Sequence, residues 1–254
     1  MDRAARAMKA IYDLLLQQRA QGKKSLAVLI DPDKIEKLSE LLSQAKLFPP
    51  DFFFVGGSLL SEGKLEKCIQ QIRASSSLPI ILFPGNEMQI SSTADALLLL
   101  SVISGRNPEL LIGRHVAAAG IIHKSGLEII STGYMLIESG APTAVSYISN
   151  TQPIPRDKKS IAALTALAGE QLGMKLIYLE AGSGAMFPVP VEMIETVRKN
   201  ITIPIITGGG IKTKSEIIER CRAGADVIVI GNVLEENPVL LKEFSGALNS
   251  LNKV

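Results

Sequence analysis

Two acids stand where apolar runs give way to turns, and both have backbone-shaping residues beside them. In YLEAGSGA, Tyr178 to Ala185, Glu180 ends the apolar stretch begun at Lys175 and is followed by Gly182-Ser183-Gly184. An ionised carboxylate away from water costs free energy unless it is partnered or used. Glycines beside it admit a close backbone approach. Together they suit a base that takes a proton from a bound alcohol, next to a loop whose bare N–H groups hold an anion. In LIDPDK, Leu29 to Lys34, Asp31 follows an apolar run and precedes Pro32, which keeps the backbone extended there. A single carboxylate together with a ligand phosphate suits Mg²⁺, which keeps several of its waters. Asp33 reads as the cap of a helix beginning near Ile35.

Two further glycine stretches complete the set. TGGGI, Thr207 to Ile211, and Gly231-Asn232 each follow an apolar run and are one strand–helix unit apart. Adjacent glycine-rich turns of this kind, with a helix N-terminus behind them, form a phosphate monoester site. Gly208, Gly209, Gly210, Gly231 and Asn232 are therefore phosphate-binding candidates, alongside the Gly182-Ser183-Gly184 loop after Glu180. Tyr178 lies two residues before Glu180, on the same face of a strand, where it can orient the alcohol. Tyr134 is a candidate to face the cavity and stabilise a developing cation with its ring; a packed tyrosine with a bonded hydroxyl explains it as well. Ser58, in VGGS, offers an oxygen to a metal or its water, and equally suits a plain turn hydroxyl.

Something must bring these residues together. Continuous apolar runs recur at Ser25–Ile30, Phe52–Val55, Pro79–Phe83, Ala96–Ile103, Leu127–Ile130 leading into Tyr134–Ile137, Lys175–Leu179, Ile203–Ile206 and Val227–Ile230. Continuous rather than alternating hydrophobicity marks strands buried on both faces, as in parallel sheets. Helical spacing fills Ile35–Leu47, Pro108–Gly126, Asp157–Gly173, Val191–Asn200 and Lys214–Ala225. Eight strands alternating with helices over 254 residues predict one domain, a (β/α)8 barrel spanning 1–254. In such a barrel the candidates all fall at strand ends, on one face. One unit is irregular: PGNEMQISSTAD, between Phe83 and Ala96, is too short and polar for a crossover helix. The helix after the third strand is expected to be missing. Glu138 to Lys158, with Pro142, Pro153 and Pro155, reads as a long ordered loop at the rim. His115 and His123 fall in the helical region after the fourth strand and read as structural or surface residues.

Composition narrows the class. With 46% hydrophobic and 20% charged residues the chain is an ordered globular protein. A formal charge of +2, no Trp, four Tyr and seven Phe give neither the field nor the stacking surface for nucleic acid. Cys68 and Cys221 are unclustered, so zinc is not implied, and both read as buried thiols in helices. The longest apolar run is far too short to span a bilayer. A soluble, cytoplasmic protein is expected.

The motifs LIDPDK, VGGS, STGYMLIESG, VSYISNTQPIP, YLEAGSGA, TGGGI and GN, in this order and over nearly the whole chain, resemble geranylgeranylglyceryl phosphate synthase and the related bacterial prenylglyceryl phosphate synthases. LIDPDK with YLEAGSGA is specific to that family, whereas TGGGI and GN are shared by many phosphate-binding barrels. The resemblance implies a modified TIM barrel lacking one helix. It implies Mg²⁺-dependent transfer of a geranylgeranyl group from its diphosphate to the 3-hydroxyl of sn-glycerol 1-phosphate, giving an ether lipid precursor. By the same resemblance, Asp31 and Ser58 look like metal positions and Glu180 like the base. Tyr178 to Gly184, Gly208 to Gly210, Gly231 and Asn232 look like the glycerol phosphate site, and homo-oligomers are implied. The chain has Leu29 where one branch carries a lysine, and YLEAGSG where that branch reads YLEYSG; it resembles the other branch. Leu110 to Ile122 and Met135 to Ile137 are candidates for the wall of a prenyl groove. The phosphate loops by themselves also admit a phosphosugar isomerase or aldolase, although the apolar runs hold no internal lysine, and a non-catalytic lipid- or phosphate-binding protein.

Overall fold

The computed structural model describes residues 10–59, 62–86 and 89–252. Eight parallel strands close into a barrel in sequence order. They are β1 (Ser25–Ile30), β2 (Phe52–Val55), β3 (Ile80–Leu82), β4 (Ala96–Val102), β5 (Glu128–Leu136), β6 (Leu176–Glu180), β7 (Ile205–Gly208) and β8 (Val227–Ile230). Pairing of Ser25 with Val227 and of Ala27 with Phe52 puts β1 between β8 and β2 and shuts the ring. The fold is thus the expected (β/α)8 barrel, and the apolar runs map onto its strands with end shifts of a few residues.

Alternation along each strand sorts side chains into two layers. Phe52, Phe54, Leu98, Tyr134, Tyr178 and Ile206 fill the interior, where the small Ala27 and Ala96 leave room for the phenylalanines. Val28, Phe53, Leu82, Ile177 and Leu179 face outward into the layer under the helices. Helices α1 (Ile11–Ala20), α2 (Leu38–Leu47), α3 (Leu65–Ser75), α4 (Gly113–Ser125), α6 (Lys159–Gln171), α7 (Val191–Asn200), α8 (Lys214–Ala223) and α10 (Leu241–Leu251) lie outside or below the ring, together with the short α5 (Ala144–Ser149) and α9 (Asn232–Glu236). Cys68 and Cys221 are buried in α3 and α8, as expected.

The end of the barrel where strands begin is closed and structural. Ile11 and Leu15 of α1 join the interior cluster, and Glu128 caps α1 by accepting from the amides of Ile11 (2.6 Å) and Tyr12 (3.0 Å). Acids just ahead of strands tie neighbouring strands together. Asp51 accepts from Leu26 N–H (2.8 Å), Asp95 from Ile80 N–H (2.8 Å) and Asp226 from Ile205 N–H (2.9 Å). Asp226 also faces Arg19, Lys24 and Arg198 at 3.4–3.5 Å. These carboxylates are used up in holding the ring, which leaves chemistry to the opposite end.

Four features differ from or refine the sequence reading. No described residue between β3 and β4 is helical, as expected; Glu87 and Met88, in the same stretch, lie outside the described residues. α2 begins at Leu38, so Asp33 does not cap it; its amide instead donates to Asp31 Oδ1 (3.0 Å). The proline-containing rim segment is not all loop: it holds α5, where Ser146 Oγ accepts from Thr143 N–H (3.2 Å), and Ile154 bridges beside the end of β5 at Ile137. His115 is not remote from the strand ends. Its Nε2 lies 2.9 Å from the carbonyl oxygen of Leu100 in β4.

Candidate active site

A cavity of about 470 Å³ opens where the strands end. Asp31, Ser58, Tyr134, Tyr178, Glu180, Gly182, Ser183, Gly184, Gly209, Gly210, Gly231 and Asn232 all border it, so residues as far apart in sequence as Asp31 and Glu180 share one chamber. Gly208 lies at the end of β7 directly beneath: a Cβ there would fall 2.6 Å from the Tyr178 hydroxyl and 3.5 Å from Glu180 Oε2. Leu179 and Ala181 are the exceptions. Both are fully buried in the layer under the helices, because alternation along β6 turns them away from Tyr178 and Glu180.

Glu180 is 5% exposed, and burial lifts its carboxyl from the ordinary 4.5 to about 7. The Gly182 amide, donating to Oε1 at 2.6 Å, and the nearby Tyr178 hydroxyl each pull it part of the way back. A carboxyl placed there is half ionised near neutrality, which suits a general base. The Tyr178 hydroxyl is buried, lies near Glu180 without completing a hydrogen bond to it, and has no other partner. An orphaned buried hydroxyl beside a base offers a ready partner to a ligand alcohol. Burial, reinforced by the Glu180 charge, also pushes both the Tyr134 and Tyr178 phenols well above their ordinary range, so each remains a neutral donor.

The glycines fit the cradle by conformation and by space. Gly209 has φ +82°, and a Cβ on it would meet Glu180 Oε1 at 2.4 Å and the Gly182 amide nitrogen at 2.6 Å. Only glycine supplies that turn and that clearance. Across the mouth, Ser183 Oγ donates to Asn232 Oδ1 (3.0 Å), joining the loop after β6 to the start of α9. First-turn amides of a helix have no acceptor within it and point at whatever lies in front. The rim segment completes the wall, with Thr143 packed so closely on Gly182 that a Cβ there would lie 2.6 Å from Thr143 Cγ2.

The opposite side of the chamber carries charge. Asp31 Oδ2 lies 3.6 Å from Lys34 Nζ, and Lys34 lies 3.9 Å from Glu235. The Asp31 amide donates to Glu235 Oε1 (3.2 Å), and burial raises the Glu235 carboxyl above its ordinary range. Among the described residues no three His, Cys, Asp or Glu side chains converge to cage a metal. Asp31 and Ser58, which both border the chamber, supply oxygen donors that suit instead a hard cation that keeps its waters and takes most ligands from a substrate. Gly57 passes next to Asp31, and the buried Gln89 braces it by accepting from the amides of Gly57 (3.4 Å) and Gly85 (3.1 Å) and donating to Gly57 O (3.0 Å). Glu235 and Gln89 are site residues that the sequence did not single out.

An apolar groove joins the chamber. Phe83, Tyr134, Gly57, Ser58 and Val145 border both. The groove runs along Leu97, Leu99 and Leu100 of β4 under Ala118 and Ile122 of α4. It occupies the flank that a helix between β3 and β4 would cover, and Leu99 is half-buried there. From Leu110 to Ile122, the residues Leu110, Arg114, His115, Ala118 and Ile122 line this groove. Met135 and Ile137 do not, being buried in the layer under the helices, and β5 contributes Tyr134 instead.

Fold and site together define a closed parallel barrel with a buried carboxyl in a glycine-walled chamber and an apolar groove at its side. The PcrB family matches residues 19–248. A geranylgeranylglyceryl phosphate synthase of Chitinophaga pinensis is 51% identical over 242 residues, covering 94% of this chain and 96% of that one. Another, of Thermococcus gammatolerans, is 42% identical over 224 residues, 87% and 88% of the two chains. The crystal structure of the (S)-3-O-geranylgeranylglyceryl phosphate synthase of Thermoplasma acidophilum, in complex with its substrate sn-glycerol-1-phosphate, superposes with a TM-score of 0.89 at 29% identity, over 97% of this chain and 100% of that one. The tryptophan synthase alpha subunit of Legionella pneumophila, with a TM-score of 0.57 at 15% identity, shares the barrel alone. This chain belongs to the PcrB family and is a prenyltransferase.

Proposed function

We propose that the protein transfers a geranylgeranyl or similar prenyl group from its diphosphate to the 3-hydroxyl of sn-glycerol 1-phosphate, with Mg²⁺ bound at Asp31 and Ser58. One observation carries the reading: a glycine-walled chamber holding a buried carboxyl near pH-neutral affinity opens directly onto an apolar groove. The chamber suits a small phosphorylated alcohol, and the groove suits a hydrocarbon tail. The relatives' names agree with both halves.

In this reading the loops at Gly182–Gly184, Gly209–Gly210 and Gly231–Asn232 hold the phosphate through backbone amides. Tyr178 donates to the glycerol oxygen and Glu180 takes its proton as that oxygen attacks. Tyr134 and Val145 form part of the wall where the tail enters. Bound Mg²⁺ would neutralise charge on the diphosphate. Asp31 and Ser58 would hold it and Lys34 would add a rim cation. A phosphosugar aldolase would need a lysine inside the ring; Lys34 and Lys212, which border the chamber, are on loops, and Lys175 opens β6 at the other end. Self-association is part of the proposal, through exposed apolar side chains such as Ile161 and Leu164 of α6. So is a cytoplasmic site of action; no described helix is long and apolar enough to cross a membrane.

The test is direct. The protein, sn-glycerol 1-phosphate, geranylgeranyl diphosphate and Mg²⁺ should yield inorganic diphosphate and an ether product, with activity lost on chelation. Absence of product with prenyl donors of every length would reject the assignment. Activity unchanged by chelation would reject the metal. A monomer at micromolar concentration in sedimentation would reject self-association.

A further inference from the structure

Phe83 is the first residue past β3, and it stands where the chamber meets the groove. Its ring stacks on Tyr178, centroids 5.1 Å apart and planes 18° from parallel. Tyr134 leans on it at 6.1 Å and 46°, and Phe54 at 6.4 Å and 31°. Tyr178 and Tyr134 are buried, at 0% and 4% exposure, whereas Phe83 is half-buried and borders both cavities. Gly57 and Ser58, on the metal side of the chamber, border the same junction. The ring is thus held by three aromatic neighbours and still presents surface to the two spaces the substrates would fill.

We infer that Phe83 is a catalytic residue, its ring stabilising the positive charge that develops on the allylic carbon as the prenyl group is transferred. The inference rests on the proposed reaction. In that reaction the bond between the allylic carbon and the diphosphate oxygen breaks, and its electron pair leaves with the diphosphate. The glycerol oxygen forms the new bond to that carbon and its proton passes to Glu180. Polar tail in the chamber and apolar tail in the groove leave the reacting carbon at their junction, beside Phe83. An aromatic face attracts a cation without offering a nucleophile that would capture it. Stacking on Tyr178 restrains the ring, so little reorganisation is needed when the charge appears. Tyr134, the residue the sequence suggested for this part, borders the same junction but shows less of its surface.

The test replaces Phe83 with phenylalanines carrying one to four ring fluorines, which keep its shape and drain its negative face. The single-turnover rate should fall with each fluorine, on the order of tenfold by the most substituted ring, with the KM for glycerol phosphate unchanged. A Phe83→Leu variant should lose at least as much rate and retain glycerol phosphate binding. A rate that does not change along the fluorine series would overturn the inference while leaving the reaction standing. No turnover by the unsubstituted protein would overturn both.

Discussion

Replacing Glu180 by glutamine should make the protein more stable and nearly inactive, and the gain should depend on pH. A carboxyl at about 7 in the folded chain and 4.5 when exposed prefers its proton in the fold. Stability from that preference is complete below 4.5 and is lost as pH rises through about 7. Each tenfold in proton affinity is worth about 1.4 kcal/mol, so the ionised carboxylate costs the fold about 3 kcal/mol at pH 8 and less than about 1 kcal/mol at pH 5. Glutamine is neutral at both. Its carbonyl can keep the bond from the Gly182 amide, and its NH₂ meets the unpartnered Tyr178 hydroxyl. Calorimetry of Glu180→Gln should therefore show Tm higher by about 6 to 10 °C at pH 8, shrinking to about 1 to 3 °C at pH 5. Turnover should drop by on the order of 100-fold or more with the loss of the base. For the unsubstituted protein, kcat/KM should rise with pH through a midpoint near 7, set by the free protein's carboxyl. Equal gains in Tm at both pH values, or a loss at pH 8, would show that Glu180 is not held in an environment hostile to its charge.

Other substitutions probe the remaining walls. Asp31→Asn should cut turnover on the order of 100-fold and abolish its rise with added Mg²⁺, as a Mg²⁺ titration of the rate would show. Gly209→Ala must place a Cβ against Glu180 Oε1 in a backbone with φ +82°, so calorimetric binding of sn-glycerol 1-phosphate should weaken at least tenfold and Tm should fall. Ala118→Trp fills the groove under α4, where Ala118 is 5% exposed. It should raise the KM of long prenyl diphosphates while short ones keep theirs, read from a donor-length series.

The barrel was legible because its strands are buried on both faces, which writes most of them as apolar runs; β5, interrupted by Ser131-Thr132-Gly133, shows as two. The gap after β3 was legible as well, since PGNEMQISSTAD has neither the length nor the periodicity of a helix. Site residues at strand ends followed from the same logic. What escaped did so for identifiable reasons. Leu179 and Ala181 were read with their motif, although alternation from Tyr178 and Glu180 already turns them outward. Phe83 passed for the tail of an apolar run because a strand-end aromatic has no signature of its own. Glu235 sits in the first turn of α9, where an acid is ordinary helix chemistry, and only the fold brings it to Asp31. Gln89 is unremarkable in sequence, since its three bonds are to the backbone of β2 and β3 ends. The prolines around α5 concealed a helix of 6 residues, shorter than periodicity can register.

The uncovered flank beside β4 has a mechanical consequence. In the proposed reaction, a product with its phosphate in the mouth and its hydrocarbon in the groove under α4 would not have to be drawn lengthwise through the ring. It can peel away sideways, tail first, while the eight strands stay fixed. In the proposed reaction the reach of the tail would then be set by α4 and the side chains beneath it rather than by the strands.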